Sequence, residues 1–230
     1  MIKFGKEIER IAASHGCTLY GYADLKGLTK GELAGFHRGI SFVFPMEPWV
    51  MAQLHQGPTE AYSVLYGQVN LRIDALAAEV VRALHRTGYK AWALPSSTRS
   101  DPVNIRGDFQ HKTTATRAGL GWVGKNCQLI TKFWGPWVRL GTVLTDAPLE
   151  PAEPTEKSRC GKCTRCIDAC PAEALKGGRW FPGVARDVIL DAWACDRYKK
   201  THFHKFHGGH NCGICTQACP LGQKVLRKEA

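Results

Sequence analysis

Cys160-Gly-Lys-Cys163-Thr-Arg-Cys166-Ile-Asp-Ala-Cys170-Pro171 is the stretch on which the reading of this chain turns. A shorter echo follows, Cys212-Gly-Ile-Cys215-Thr-Gln-Ala-Cys219-Pro220, and it agrees with Cys163–Pro171 at five of nine positions. Three closely spaced thiolates can wind a loop around three corners of one iron–sulfur cube. The fourth cysteine, set by a proline at a helix start, faces away and ligates the other cube. The second motif lacks a leading cysteine, and Cys195 upstream can supply it. The spacing therefore assigns one [4Fe-4S] cluster to Cys160, Cys163, Cys166 and Cys219, and a second to Cys170, Cys195, Cys212 and Cys215. Two structural zinc sites could also use four cysteines each. The Cys-Pro endings and the crossed count favour clusters over zinc.

Eight of the ten cysteines lie in this segment. Disulfides are the poorer reading, because the N-terminus, Met1-Ile-Lys-Phe-Gly-Lys-Glu7, has no secretory signal core. Cys17 and Cys127 stand apart and read as buried small hydrophobes. The 230 residues are 44% hydrophobic, enough for a packed core and too many for a disordered chain. No apolar run approaches the roughly 18 residues of a membrane span, so a cytoplasmic protein is expected. The formal charge is +11. Two clusters with their thiolates would bring it to about +7. That surplus favours an anionic partner such as RNA, although solvated lysines alone would account for it. His202, His204, His207 and His210 crowd the stretch before Cys212 and read as an exposed loop rather than a metal site.

The rest of the chain reads as mixed helix and strand. Phe4, Ile8, Ile11 and Ala12 mark one face of a helix over 1–14. Strands are expected at 18–23, 39–44, 89–94, 128–131 and 139–145. A long helix opens at Pro58, carries a stripe of Ala61, Leu65, Val69, Leu76, Val80 and Leu84, and ends at Gly88. Residues 96–107 read as a loop and 111–118 as a helix. A proline-rich linker is expected at 148–154. Of Trp122, Trp134 and Trp137, two are expected in the core.

Gly119-Leu-Gly121-Trp-Val-Gly124 has the form G-x-G-x-x-G, but a helix precedes it and a strand follows, the reverse of a dinucleotide site. Glycines here let backbone approach another flat ligand or make a tight turn. Arg117-Ala-Gly-Leu-Gly-Trp-Val-Gly-Lys-Asn126, then Gly141-Thr-Val-Leu-Thr-Asp146, then both cysteine motifs, resemble epoxyqueuosine reductase in content and order. The resemblance implies a cobalamin-dependent iron–sulfur reductase that removes the epoxide oxygen from a modified base in tRNA. It implies an α+β fold: a nitroreductase-like corrinoid-binding α/β domain over 1–150, and a ferredoxin-like domain with two clusters over 151–230. Arg117, Gly119, Gly121, Gly124 and Lys125 fall on the corrinoid side of that likeness. A low-potential electron donor must feed the clusters.

Deoxygenation also needs a proton donor near the substrate. Asp108 and His111 are the candidates, with Asp101 behind them; capping of the following helix is the ordinary role for Asp108. The chain departs from the family in two places. Ile105 stands twelve residues before Arg117, where the reductase carries an Asp thought to donate the proton. The sequence stops ten residues after Pro220, where the family continues into helical repeats that help hold tRNA. These departures keep a second function in view, an electron-transfer protein that reduces or reactivates another corrinoid protein.

Overall fold

The structure is a computed structural model that describes residues 2–227. The side chains of residues 2–4, Phe4 among them, lie outside the described part. Along the chain run α1 (Ile2–Ser14), β1 (Leu19–Asp24), β2 (Arg38–Pro45), α2 (Pro48–Ala52), α3 (Glu60–Arg86), β3 (Ala91–Leu94) and α4 (His111–Arg117). Then come β4 (Trp122–Val123), β5 (Leu129–Ile130), β6 (Val138–Thr145), α5 (Arg165–Asp168), α6 (Ala192–His202), α7 (Ile214–Gln217) and α8 (Pro220–Leu226). The fold is mixed helix and strand. Its two compact units are Met1–Phe44 with Val69–Leu120 and Arg139–Thr155, and Pro45–Gln68 with Gly121–Val138 and Glu156–Ala230.

The first unit is built on a sheet of order β1-β2-β6-β3. β1 and β2 pair antiparallel from Leu19↔Val43 to Asp24↔Arg38, and β3 pairs antiparallel with β6 from Ala91↔Thr145 to Leu94↔Thr142. Alternation along each strand decides which helix meets which face. A Cβ on Gly141 would come within 2.7 Å of Ile73, so glycine lets α3 press onto one face. The buried stripe of α3 is Val69, Ile73, Leu76, Ala77, Val80, Ala83 and Leu84. It begins later than its sequence pattern: Ala61 is exposed and Leu65 half-buried, and only from Val69 does the helix join this unit. Ion pairs Arg86–Glu7 at 3.2 Å and His15–Glu79 at 2.9 Å hold α1 beside α3, with Ile8, Ile11 and Ala12 buried.

The opposite face receives α4. Cβ atoms on Gly39 and Gly21 would meet Thr114 at 2.7 Å and the Ala118 carbonyl at 3.0 Å. Ala23, Leu25, Leu94, Ala118 and Leu144 form an apolar cluster there. Residues 148–155 are not a free linker. Leu149 O accepts from Arg38 Nε at 3.1 Å, Ala152 N donates to Tyr22 O at 2.9 Å, and Thr155 N donates to Thr116 O at 2.8 Å. Such bonds satisfy backbone groups that proline-rich composition alone would leave to water.

In the second unit β4 and β5 form a hairpin, pairing Trp122↔Ile130 and Val123↔Leu129. Trp137 is its largest fully buried side chain, and its Nε1 donates to Thr216 O at 3.1 Å. Gly222 makes room for that indole: a Cβ there would lie 2.6 Å from the ring carbon Cε2. Trp122 is buried as well and Trp134 half-buried, so two of the three tryptophans are core. Asp191 caps α6 by accepting from Ala194 N at 2.9 Å, a bond that holds its carboxyl below the usual range. Among the described residues, no helix is long and apolar enough to cross a membrane.

Candidate metal centre

The cysteine motifs fold as two short loop-and-helix units. Cys160 and Cys163 lie on a loop that turns at Gly161 (φ +56°), and Cys166 lies on α5. Cys212 precedes Gly213, whose left-handed φ of +95° turns the chain into α7, which carries Cys215. Cys219 is the N-cap residue of α8, with Pro220 in the first turn, where a missing N–H costs no helix bond.

The thiols gather into two groups, each drawn from both motifs. Burial pushes Cys166 up to about 11, and the neighbouring thiols Cys219, Cys160 and Cys163 push the same way. Cys219 is raised by burial, with Cys160 and Cys163 adding to it. Burial likewise lifts Cys212 to about 11, and Cys195 and Cys170 contribute. Cys215 is raised by burial and then by Cys212, Cys195 and Cys170, with Cys166 contributing least. Cys195 is raised by burial and by Cys170, while Lys199 opposes the shift. Crowded buried thiols resist ionising alone, and a cationic iron core is what makes thiolates stable there. The donor set fits an iron–sulfur cluster. So does an orphan beside it: Asn211, adjacent to Cys212 and 3% exposed, has an amide nitrogen with no acceptor among the described residues.

The segment after Gly121 braces both loops. Lys125, buried to 8% exposure, donates from Nζ to Cys163 O at 2.9 Å. Asn126 Nδ2 donates to Cys215 O at 3.4 Å. Cys127 follows, buried and at φ +58°. Sequence reasoning had Lys125, and Trp137 as one of three tryptophans of which two were expected in the core, but not Asn126 or Asn211. Asn126 and Asn211 adjoin picked residues, which is a usable signal.

The glycines of the block serve the chain itself. A Cβ on Gly121 would overlap the Ile130 carbonyl oxygen. At Gly124 it would crowd Asn126 Oδ1 at 2.8 Å, and at Gly119 (φ +70°) the Glu153 carbonyl at 2.7 Å. These close approaches come from protein atoms, which by themselves account for glycine at the three positions. Arg117 Nε donates to Asp24 O at 3.1 Å. Arg117 and Gly119 belong to the first unit; Gly121, Gly124 and Lys125 belong to the second.

The acid candidates also have identifiable surroundings. Asp108 is exposed, and it does not cap α4: the N-cap is Gln110, with no side-chain capping bond, so Asp108 stands two residues too early. Asp101 accepts from Asn104 N, Asn104 Nδ2 and Arg106 Nε, which hold it down at about 2 and hence ionised. His111 is pushed down to about 4 by burial, with Arg139 and Lys112 adding and Pro95 O opposing. Pro95 O, 3.2 Å from Nε2, can only accept, so Nε2 carries the proton and Nδ1 accepts from Thr142 Oγ1 at 2.9 Å. Ile105 sits at φ +53°, a strained conformation for a β-branched residue.

The histidine-rich loop does not converge. His202 stacks on Tyr198 at 4.0 Å, and His207 bonds Ser63 O through Nε2 at 2.9 Å. Among the described residues, no three His, Cys, Asp or Glu side chains lie close enough to hold a single ion. A cube takes one thiolate per iron, so its ligands stand farther apart than those of one zinc.

Residues 159–222 match the 4Fe-4S double cluster binding domain family. The chain therefore carries an iron–sulfur cluster-binding domain. It is 34% identical over 120 residues to epoxyqueuosine reductase of Listeria monocytogenes, a match covering 51% of this chain and 31% of that protein. It is 36% identical over 134 residues to the Gloeobacter violaceus enzyme, covering 53% and 38%. The matched stretch thus spans about a third of these relatives. Among solved structures, a catabolic reductive dehalogenase superposes with a TM-score of 0.73 at 18% identity, covering 94% of this chain and 31% of the other. A reductive dehalogenase whose structure suggests a mechanism for B12-dependent dehalogenation gives 0.72 at 19%, covering 93% and 31%. Epoxyqueuosine reductase with an epoxyqueuosine-modified tRNA-Tyr stem loop gives 0.60 at 19%, covering 96% and 66%.

Proposed function

We propose that this chain is an iron–sulfur oxidoreductase of the epoxyqueuosine reductase type, acting on a modified nucleoside in tRNA. One [4Fe-4S] cluster sits on Cys160, Cys163, Cys166 and Cys219, the other on Cys170, Cys195, Cys212 and Cys215. The grouping of these thiols, inside a segment that matches the double-cluster family, carries the reading. Opening an epoxide to an alkene consumes two electrons and two protons and releases water. Clusters deliver electrons singly, which suits a stepwise reduction. The first unit is taken as nitroreductase-like, with a corrinoid as second cofactor, on its likeness to the B12-dependent dehalogenase. When bound, that cofactor supplies a strongly reducing low-valent cobalt. Gly119, Gly121 and Gly124 are not assigned to it, because protein atoms already crowd their Cβ positions.

The competing reading, an electron-transfer protein for another corrinoid protein, gains from the acid candidates. Asp101 is ionised, His111 is neutral with both ring nitrogens engaged, and Ile105 takes the place of the family's Asp. Asp108 is left as the proton donor of the reductase reading.

Anaerobically reconstituted protein should hold about eight irons and eight sulfides. With added cobalamin and reduced clusters it should convert an epoxyqueuosine-bearing stem loop, and Asp108→Asn should abolish turnover. No turnover, with rapid reduction of a separate corrinoid protein, would establish the carrier instead. His111→Gln should keep turnover and change only stability. The folded value of about 4 lies below the ordinary 6.5, so the unfolded chain takes up the proton first. The wild type is then favoured fully above 6.5 and loses about 3 kcal/mol as pH falls toward 4. His111→Gln should flatten that slope in thermal melts between pH 5 and 7.

A further inference from the structure

The loop of the first motif is exposed and net cationic, with Glu156 and Asp168 as its exposed carboxylates. Lys157, Arg159, Lys162 and Arg165 are all exposed, and so is the ligand residue Cys163 between them. Lys157, Lys162 and Arg165 form no ion pair with any described residue. Arg159 lies over the Trp122 ring at 5.7 Å, which fixes its stem while the residue stays exposed. Ser158 N donates to Trp180 O at 3.3 Å, so the segment carrying exposed Arg179 and Phe181 runs beside this loop. The stretch from Asn211 to Gln223, by contrast, has no charged residue at all.

We infer that this face is where the protein docks a small acidic carrier of single low-potential electrons, of the flavodoxin or ferredoxin kind. The inference rests on the cluster assignment above. Electron tunnelling weakens steeply with distance, so a donor must seat where a ligating thiolate reaches the surface. Cys163 is that thiolate in the first set. The cations around it attract an acidic protein and orient it, and Phe181 offers the apolar contact that a transient interface needs at its centre. An RNA would find the same charge attractive, but it has no electron to give, and the cations surround the redox group itself. The step is simple: the carrier loses one electron, the cluster core goes from 2+ to 1+, and no bond to a proton or ligand changes.

The test uses full-length reconstituted protein and an acidic flavodoxin in its hydroquinone state, with cluster bleaching followed by anaerobic stopped flow. Lys162→Glu with Arg165→Glu should slow the second-order rate at least about tenfold at low salt, and the wild-type rate should fall with salt while the variant's does not. Iron, sulfide and reduction by dithionite should match wild type, which separates loss of docking from loss of the clusters. Lys132→Glu with Lys205→Glu changes net charge equally on exposed positions elsewhere and should leave the rate within about twofold. Equal rates for both double variants would overturn the inference. So would an unchanged flavodoxin rate in the Lys162/Arg165 variant accompanied by lost binding of a tRNA stem loop, which would give the face to RNA. Absence of iron and sulfide from wild type would instead sink the cluster assignment.

Discussion

The two cysteine motifs share a spacing and differ in almost everything around it. The first lies on an exposed loop with cations at Lys162 and Arg165, held by Lys125 on Cys163 O, by Ser158 N on Trp180 O and by Arg159 over Trp122. The second is uncharged and gripped from several sides. Gly213 abuts Leu54, Thr216 O accepts from Trp137, Gln217 Nε2 donates to Ala52 O at 3.3 Å, and Asn126 reaches Cys215 O. The same cysteine spacing is thus set in two different surroundings. Cys163 is exposed, whereas the cysteines of the second motif are half-buried. In the proposed crossed assignment, Cys219 ties the exposed loop to the gripped helix.

That tie gives the largest expected effect. Cys219→Ser should eliminate the cluster of the first motif, although the residue belongs to the second. Iron should fall from about eight to about four per chain, and the surviving spectral signal should be the one lost in Cys170→Ser. If Cys219→Ser instead removes the same cluster as Cys212→Ser, the ligands are not crossed and the comparison collapses.

The next effect concerns the grip. A Cβ on Gly222 would press into the Trp137 indole, whose Nε1 holds Thr216 O. Gly222→Val should cost about 3 kcal/mol through overpacking, lowering the melting temperature of the holoprotein. The matching change in the first loop, Gly161→Ala, meets no atom within 4 Å and carries only the strain of φ +56°, about 1 kcal/mol. Equal losses would mean that the two motifs are equally packed. Lys125→Met comes third. It removes a buried charge-assisted bond to Cys163 O and should cost about 2 kcal/mol, shown as faster iron loss to a chelator from the first cluster alone.

Much of this was legible beforehand because covalent spacing and helical period are local properties. The sheet strands, α3 and the grouping of cysteines into motifs follow from residues near one another in sequence. What was hidden depends on contacts between distant segments. Ala61 fits the apolar period of α3 yet faces water, because only the later turns meet the sheet. Gly121 read as room for a flat ligand or a tight turn; the sequence did not show that Ile130, whose carbonyl comes from the partner strand of its own hairpin, leaves no space for a side chain there. Residues 148–155 have linker composition, yet their backbone is bonded to Tyr22 and Thr116. His111 could be picked as a titrating group, but its neutral state is set by Pro95 and Thr142.

The smallest effect is the sharpest probe of the second motif. Asn211 is 3% exposed, its amide nitrogen finds no acceptor among the described residues, and Cys212 is its neighbour. A buried donor left unpaired costs roughly 1–3 kcal/mol, so an acceptor is expected once the site is filled. Cluster sulfur is the acceptor at hand, and bonds to sulfur tune cluster potential. Such a bond stabilises the reduced, more negative core more than the oxidised one. A difference of about 1 kcal/mol between the two states corresponds to roughly 40 mV for one electron. Asn211→Leu should therefore lower the potential of the second cluster by about that much in an EPR-monitored redox titration, while the first cluster keeps its value. An unchanged second potential would mean that the amide is satisfied by solvent. A shift in the first cluster would mean that Asn211 serves the opposite set, and the two motifs would be less separate in their surroundings than their charges indicate.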